Sequence, residues 1–344
     1  MNLKKNIILK FGPKFTGRII SAILSLAICF GIYHLFPKSQ PQPSDGTVEA
    51  PTSPQGNGNA VSDTIDSPND SPVVPAPSDQ PIYSTENAEN IGSQISSASA
   101  MLCNNKTNTV LCKKAEKTEL SAAPIIALTT ALTVLDAMSK GTVAPGDRAV
   151  CPASAIRLPC YTASSKLLSV GQSLTVAELI KCMLCTSPEL FAYTLAIHVS
   201  GSEQAFLDSM KTLLTDLRAT DTKITSLSDV TACTTTVTDA AIIFRAATEN
   251  NTLLSLLSSR EAFTVSAGGS AWDTVTLCGR FYAECCTEGQ AKADGIICGY
   301  YGEYGGKPYV YMLFEQLGTT YLTVAIDGQT AYADSLILLS NAGK

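Results

Sequence analysis

Of the residue types in this sequence, cysteine could take part in the widest range of chemistry. The chain holds 12 cysteines, a residue that forms disulfides, binds metals or acts as a nucleophile. Cys103 and Cys112 flank a predicted turn, and Cys151 and Cys160 bracket the loop CPASAIRLPC. In an oxidising compartment each pair is a candidate disulfide. Cys29 lies in an apolar run, and the other 11 cysteines are an odd number, so at least one stays outside any pairing within the chain.

Metal chemistry has weaker support in the sequence. Cys182 and Cys185 lie three residues apart on a predicted helix, where side chains at this spacing are neighbours. A zinc site needs further cysteine or histidine ligands at suitable spacing, and the sequence offers none beside this pair. We therefore expect no metal and no cofactor.

These residues must be positioned by a domain that we place at residues 85–344. Two short β-like runs, 98–103 and 109–113, are separated by a turn-forming stretch and predict a hairpin. Helical patterns follow at 124–138, 176–184, 188–199, 202–217 and 238–248, the first apolar on nearly all sides and hence buried. Strands return at 295–300, 308–315 and 319–326, before a last helix at 331–340. Strands at both ends with helices between them predict an α+β domain, with an antiparallel sheet formed by the two ends of the domain.

The first 36 residues have a different character. Residues 1–18 carry five basic residues and no acidic one, and the run 19–36 (IISAILSLAICFGIYHLF) is apolar. At ~1.5 Å per residue such a helix spans ~27 Å, close to a hydrocarbon core of roughly 30 Å. A cleaved signal peptide is the alternative, but the run ends in YHLFP without the small residues of a cleavage site. We predict a signal anchor at 19–36 with residues 1–18 in the cytoplasm.

Residues 37–84 form the predicted link between anchor and domain. Proline recurs through this segment among serine, aspartate, asparagine and glutamine, and large apolar residues are scarce. Such a composition cannot offset the entropy of ordering a chain, so we predict a disordered stalk. The net charge of the whole chain is −6, which argues against nucleic acid as a partner.

Several strings in the domain, in order and at similar spacing, resemble the D-alanyl-D-alanine carboxypeptidases. These low-molecular-weight penicillin-binding proteins trim cell-wall peptides and have the beta-lactamase/transpeptidase-like fold. The resemblance covers roughly residues 95–340. It rests on Thr109-Val110-Leu111 before Lys113-Lys114, on Lys166 with 170–179 (VGQSLTVAEL), on 196–206 (AIHVSGSEQAF), and on Thr236-Val237-Thr238-Asp239.

The resemblance implies three catalytic motifs, and all three are altered here. The family's S-x-x-K, which supplies a serine nucleophile and a lysine base, falls on Pro124 and Ala127. Moving the nucleophile to Ser121 does not help, since its partner three residues on is then Pro124. The S-x-N motif falls on Ser187, Pro188 and Glu189. The K-T-G motif falls on Ile297, Cys298 and Gly299, of which only the glycine is kept, a residue that permits close approach of a substrate backbone.

These replacements predict weakened catalysis and weakened binding of the family's substrate. Two lysines are lost and Glu189 is gained, whereas the family's substrate ends in a carboxylate held by the K-T-G cation. We interpret Cys298 as a packing residue rather than a new nucleophile, because the only histidine of the domain, His198, lies on a helix remote from the family's cleft. Glu189 is interpreted as a solvated or helix-capping carboxylate, with a general acid as the alternative.

Together these observations predict a single-pass protein of the bacterial cytoplasmic membrane with an extracytoplasmic domain. We expect a catalytically inactive member of the family, a pseudoenzyme, that binds peptidoglycan peptides or wall-synthesis proteins. Two alternatives stay open. One is an active serine-type carboxypeptidase that trims stem peptides, and the other is a structural envelope protein that uses the domain only for protein contacts.

Overall fold

The computed structural model of the chain describes residues 83–161, 167–186, 188–227, 229–266, 274–277, 279–285 and 295–342. The predicted anchor at 19–36 and nearly all of the predicted stalk at 37–84 lie outside these ranges. Within the ranges described, no helix combines the length and the apolar character needed to cross a membrane.

A six-stranded sheet built from both ends of the domain dominates the fold, with strand order β1-β3-β2-β12-β11-β10. Its strands are β1 (Glu89–Asn90), β2 (Ser99–Asn104), β3 (Thr109–Lys114), β10 (Ile296–Tyr304), β11 (Lys307–Gln316) and β12 (Thr319–Ile326). The predicted joining of the two ends is confirmed, because β2 pairs with β12 in the middle of the sheet.

The expected antiparallel sheet is wrong at one edge. Strands β2, β3, β10, β11 and β12 are antiparallel to their neighbours, but β1 pairs with β3 in parallel, with Glu89 beside Cys112. The chain enters the sheet as β1, which lies at the edge beside β3, and then crosses over to form β2. The sheet is therefore mixed. A two-residue strand leaves no alternating pattern in the sequence that would predict it.

The helices form most of the segment between the strands. They are α1 (Ala123–Ser139), α2 (Val176–Cys185), α3 (Pro188–Ser200), α4 (Glu203–Asp216), α5 (Val237–Glu249), α6 (Asn251–Ser258), α7 (Arg280–Cys285) and α8 (Ala331–Leu339). The sequence predicted all except α6 and α7. Several begin at residues whose side chains accept backbone N–H groups, as Thr175 does from Glu178 at 3.2 Å in a capping box.

Three small two-stranded sheets complete the described fold. Strand β4 (Leu120–Ser121) pairs with β7 (Thr234–Thr235), and β5 (Arg148–Val150) pairs with β6 (Ser173–Thr175). Strand β8 (Phe263–Ser266) pairs with β9 (Thr274–Leu277). The β4–β7 pair fixes the start of α1, because it ends two residues before the helix begins.

The sheet separates two hydrophobic cores. The larger, which we call the main core, lies between the sheet and helices α1 to α6, and receives Leu322, Val324 and Ile326 from β12. The second core lies on the other face, where Phe281 of α7 and Leu338 of α8 pack. Because strand side chains alternate between faces, the core that a residue joins tells which face it occupies.

The folded part begins slightly before the predicted boundary at residue 85. Tyr83 is buried in the main core, and its hydroxyl donates to Asn105 Oδ1 at 2.8 Å. Ser84 bridges to Thr109 at the edge of the sheet. Tyr83 and Ser84 therefore belong to the domain rather than to the stalk.

Candidate active site

The first altered motif lies at the start of α1. Pro124 occupies the first turn of this helix, where the lack of an N–H costs no hydrogen bond. Pro124 is buried and Ala127 is 0% exposed. Neither side chain carries a hydroxyl or an amine, so these two positions provide neither a nucleophile nor a base.

Ser121, the alternative nucleophile, is not part of the helix. It lies on β4 opposite Thr234, and its Oγ accepts the N–H of Ala123 at 3.3 Å. A strand residue does not share a helical face with the residue three positions later. Ser121 therefore has no partner in the geometry that an S-x-x-K pair requires.

The second motif lies where α2 ends and α3 begins. Ser187 lies outside the described residues. Glu189 is half-buried in the first turn of α3, where the helix dipole stabilises a carboxylate. Its negative charge also contributes to the raised pKa values of Cys160 and Tyr309. This position agrees with the interpretation of Glu189 as a carboxylate at a helix start.

The third motif lies on β10, the edge strand of the sheet. The pairing with β11 is irregular between Ile296 and Cys298, so Ile297 is the extra residue of a β-bulge. The carbonyl of Ile297 accepts the hydroxyl of Tyr282 from α7 at 3.3 Å. The position that the resemblance assigns to the family's lysine thus carries a half-buried apolar side chain, and its carbonyl is engaged within the domain.

Cys298 does not lie in an open cleft. It is 0% exposed and packs in the main core. Burial raises the pKa of its thiol to about 12, although a hydrogen bond with the backbone of Leu313 opposes this shift. A thiol with this pKa is protonated at neutral pH and is a poor nucleophile, which supports the interpretation of Cys298 as a packing residue.

Gly299 is kept for a reason that the sequence did not reveal. A Cβ at this residue would lie 2.4 Å from three carbons of the Phe281 ring. Phe281 belongs to the second core, so packing within the domain alone requires glycine here. The expected reason, close approach of a substrate backbone, is not needed to explain it.

A small cavity lies beside the third motif. It measures about 20 Å³, which is room for roughly one water molecule. Leu184, Leu257, Tyr282, Gly299 and Tyr301 are among its lining residues. The cavity is therefore too small for a peptide. The guanidinium of Arg280, also in its lining, lies 5.1 Å from the centroid of the Tyr301 ring.

The structure does not bring Cys103 and Cys112 together. A bulge between Leu102 and Cys103 shifts the register, so that Cys112 lies opposite Leu102. Cys103 then packs in the main core and Cys112 in the second core. The two thiols lie on opposite faces of the sheet, a geometry that a disulfide cannot bridge.

Cys151 and Cys160 are thiols as well, but both lie beside the start of α3. The Cys151 thiol is hydrogen-bonded to Thr194, and Cys160 to the backbone of Leu190, one helical turn earlier. Burial and nearby Glu189 raise the pKa of Cys160 to about 11. Both ends of the loop between the cysteines therefore pack on α3.

His198 is exposed near the end of α3. It lies nine positions after Glu189, or ~13 Å along the helix, so the two do not form an acid–base pair. Sequence reasoning missed α7, whose Phe281 and Tyr282 contact the third motif. The run Arg280-Phe281-Tyr282 is too short to show a helical period, and its contacts to β10 are long-range.

Comparisons with known proteins agree with this geometry. A sequence model of the D-alanyl-D-alanine carboxypeptidases, peptidase family S11, matches residues 84–275, more than half of the chain. A search of the curated proteins found no match.

Several solved structures share the fold. A D-alanyl-D-alanine carboxypeptidase from Mycobacterium tuberculosis H37Rv is similar with a TM-score of 0.60 and 17% identity, over 73% of this chain and 93% of that chain. A mutant of the Streptomyces K15 DD-transpeptidase gives 0.60 and 19%, over 72% and 98%. A peptidoglycan synthesis regulatory factor from Streptococcus pneumoniae gives 0.59 and 17%, over 72% and 76%.

The match over residues 84–275, together with the mixed sheet formed by both ends of the domain, establishes the relationship. The chain belongs to the D-alanyl-D-alanine carboxypeptidase family of S11 peptidases.

Proposed function

We propose that this chain is a pseudoenzyme of its family, tethered to the outer face of a bacterial cytoplasmic membrane. In this proposal residues 19–36 anchor the chain, residues 37–82 act as a flexible stalk, and the domain binds components of wall synthesis. Tethering keeps the domain near nascent wall at a high local concentration, so that even weak binding has an effect.

One observation carries the loss of catalysis. Pro124 and Ala127 are buried at the positions where the family places its nucleophile and base. Removal of both groups abolishes most of the rate enhancement in enzymes of this kind. Cys298, a replacement nucleophile by residue type, is buried in the main core.

Residue 297, where the resemblance places the lysine that holds the substrate carboxylate in the family, carries no cation. A carboxylate-terminated peptide gains ~1.5–3 kcal/mol from each charge-assisted hydrogen bond. Ile297 offers no such bond from its side chain, and Glu189 adds a negative charge at the start of α3. We therefore expect weak binding of peptides that end in D-alanyl-D-alanine.

The changed charges favour wall-synthesis proteins over wall peptides as ligands, because Ile297 offers no cation and Glu189 adds a negative charge. A folded partner would instead bind across the outer surface of the domain. Capture of a partner protein without binding of wall fragments would support this form of the proposal.

Release of D-alanine tests the proposal. The full chain in detergent is incubated with a synthetic peptide ending in D-alanyl-D-alanine, beside an active member of the family as positive control. We expect no D-alanine above the uncatalysed background.

A Ser187→Ala variant serves as a matched control, because Ser187 is the motif serine that the chain retains. Any trace of release should be the same in the variant and in the parent chain. Release that disappears in the variant would show an active hydrolase and would overturn the proposal.

A further inference from the structure

Leu317 is the most exposed large apolar residue of the described chain, at 97% exposure. It lies in the tight turn that joins β11 to β12, between the paired residues Gln316 and Thr319. A single exposed leucine would by itself require no explanation. A second observation at the same residue makes it unusual.

The backbone of Leu317 is in the left-handed region. Its φ is +52°, and the φ of Gly318 is +73°, the pattern of a two-residue type I′ hairpin turn. Asparagine, aspartate and glycine are preferred at the first of these positions, whereas a leucine there is strained. Leu317 is therefore unfavourable both in conformation and in exposure, and an asparagine would relieve both.

The turn of Leu317 lies at the end of the sheet where the chain joins the domain. The N–H of Asn105, in the turn between β2 and β3, donates to the carbonyl of Thr320 at 3.0 Å. The side chain of Asn105 accepts the hydroxyl of Tyr83 at 2.8 Å. The N–H of Ser84 donates to Asn108 of the same turn at 2.9 Å. Tyr83, the β2–β3 turn and Leu317 thus share one end of the sheet.

We propose that Leu317 inserts into the lipid surface to which the chain is tethered. This inference rests on the proposed anchor at 19–36. If residues 37–82 behave as a coil, their average span is roughly 40 Å. The end of the domain that carries Tyr83 is then held within reach of the bilayer, and Leu317 projects from that same end.

The charges at this end do not point to an electrostatic contact. Lys106 is exposed in the β2–β3 turn, and Glu315 is exposed two residues before Leu317. Arg245 donates to Asn108 of the same turn at 2.6 Å and pairs with Glu249 at 2.7 Å. Two positive and two negative groups leave no net attraction for anionic headgroups. The contact is therefore apolar, and its expected dependence on salt is small.

Quenching of a single tryptophan by brominated lipids tests the inference in the full chain reconstituted into phosphatidylcholine vesicles. The chain contains one tryptophan, Trp272, which is first replaced by phenylalanine. A Thr107→Trp reporter is then placed in the exposed turn beside Leu317, and a Gln329→Trp reporter at the far end of β12 serves as control.

We expect strong quenching at residue 107, little at residue 329, and a loss of the quenching at residue 107 when Leu317→Asn is added. Equal quenching with Leu317 and with Leu317→Asn would overturn the inference, and so would a dimer in detergent that depends on Leu317. A chain that fails to float with the vesicles would refute the proposed anchor and overturn the inference with it. Flotation without quenching would overturn the inference alone and leave the proposed function intact.

Discussion

The ring of Phe281 occupies the space beside Gly299 that a side chain at residue 299 would need, with three ring carbons 2.4 Å from the position of a Cβ. This contact joins α7 to the edge strand β10 through the second core. The single residue of the third motif that is kept is thus one that packing alone would preserve. Retention of Gly299 is therefore no sign of retained catalysis.

Gly299→Ala tests this contact. Overpacking a filled core commonly costs about 1–3 kcal/mol, so we expect the free energy of unfolding to fall by that amount in urea titrations. Gly146→Ala is the matched control, because a Cβ there meets nothing within 4 Å, and it should leave stability unchanged.

The double variant with Phe281→Ala makes the test specific. Phe281→Ala alone should cost about 3–5 kcal/mol because it leaves a cavity. In the Phe281→Ala background, Gly299→Ala should leave the free energy of unfolding almost unchanged, because the ring that would clash with the new Cβ is gone. Additive costs in the double-mutant cycle would show that Phe281 is not what requires glycine at residue 299.

The domain should lose stability in acid, because the carboxylate of Asp334 becomes protonated there. Burial alone would raise its pKa, but hydrogen bonds from Ser97 and Ser96 outweigh burial and hold the pKa below its ordinary value. Two of these bonds come from the Ser97 Oγ at 2.6 Å and its N–H at 2.7 Å. Stability from this group is present above the unfolded-state pKa of ~3.9 and is lost as pH falls through the folded-state value.

Asp334→Asn should therefore lower the free energy of unfolding by about 1–3 kcal/mol at neutral pH, and should flatten the decline towards about pH 2. The control is Asp216→Asn, at an exposed position near the end of α4. An unchanged acid profile in Asp334→Asn would contradict the role given to these hydrogen bonds.

Two neighbouring tyrosines are expected to respond in opposite ways to loss of the hydroxyl. Tyr309 is hydrogen-bonded to Tyr300 through its side chain, whereas the buried hydroxyl of Tyr311 has no hydrogen-bond partner among the described residues. Tyr309→Phe should cost about 1 kcal/mol, and Tyr311→Phe should be neutral or stabilising. Thermal unfolding of both variants checks this, and a greater loss in Tyr311→Phe would show a partner for its hydroxyl.

The cysteines give a prediction that requires no mutation. Alkylation of the native chain near pH 8, read by mass spectrometry, should leave Cys298 unmodified because burial raises its pKa to about 12. Half-buried Cys160 should react sooner. After incubation with oxidised glutathione, no peptide should link Cys103 to Cys112. Such a linked peptide would contradict the register of β2 and β3.

The sequence predicted the helices that show a helical repeat over many residues and the strands with a clear alternation of apolar and polar residues. The buried helix at 124–138 appears as α1, and the hairpin and the three C-terminal strands lie within a few residues of their expected positions. The two-residue strand β1 and the short helix α7 carry too few residues to show a pattern. The family resemblance supplied the overall arrangement that periodicity alone leaves open.

The site was predictable in its residue types but not in its contacts. The resemblance assigned Pro124 and Ala127 to the altered positions of the first motif, and both residues are buried in α1. The sequence could not reveal the bulges that leave Leu111 and Ile297 without a paired residue, because a bulge changes the face or the pairing of later residues without a signal in side-chain type. Hence the placement of Cys103 and Cys112 on opposite faces was not foreseen, and the reason for Gly299 became clear only from Phe281.

Covalent labelling with fluorescent penicillin tests the central claim, the absence of a catalytic serine, most directly. The full chain in detergent is compared with an active carboxypeptidase of the family, and adducts are located by mass spectrometry. We predict no adduct on the chain under conditions in which the active enzyme is labelled completely. A stoichiometric adduct on any serine of the chain, Ser121 and Ser187 included, would contradict the account.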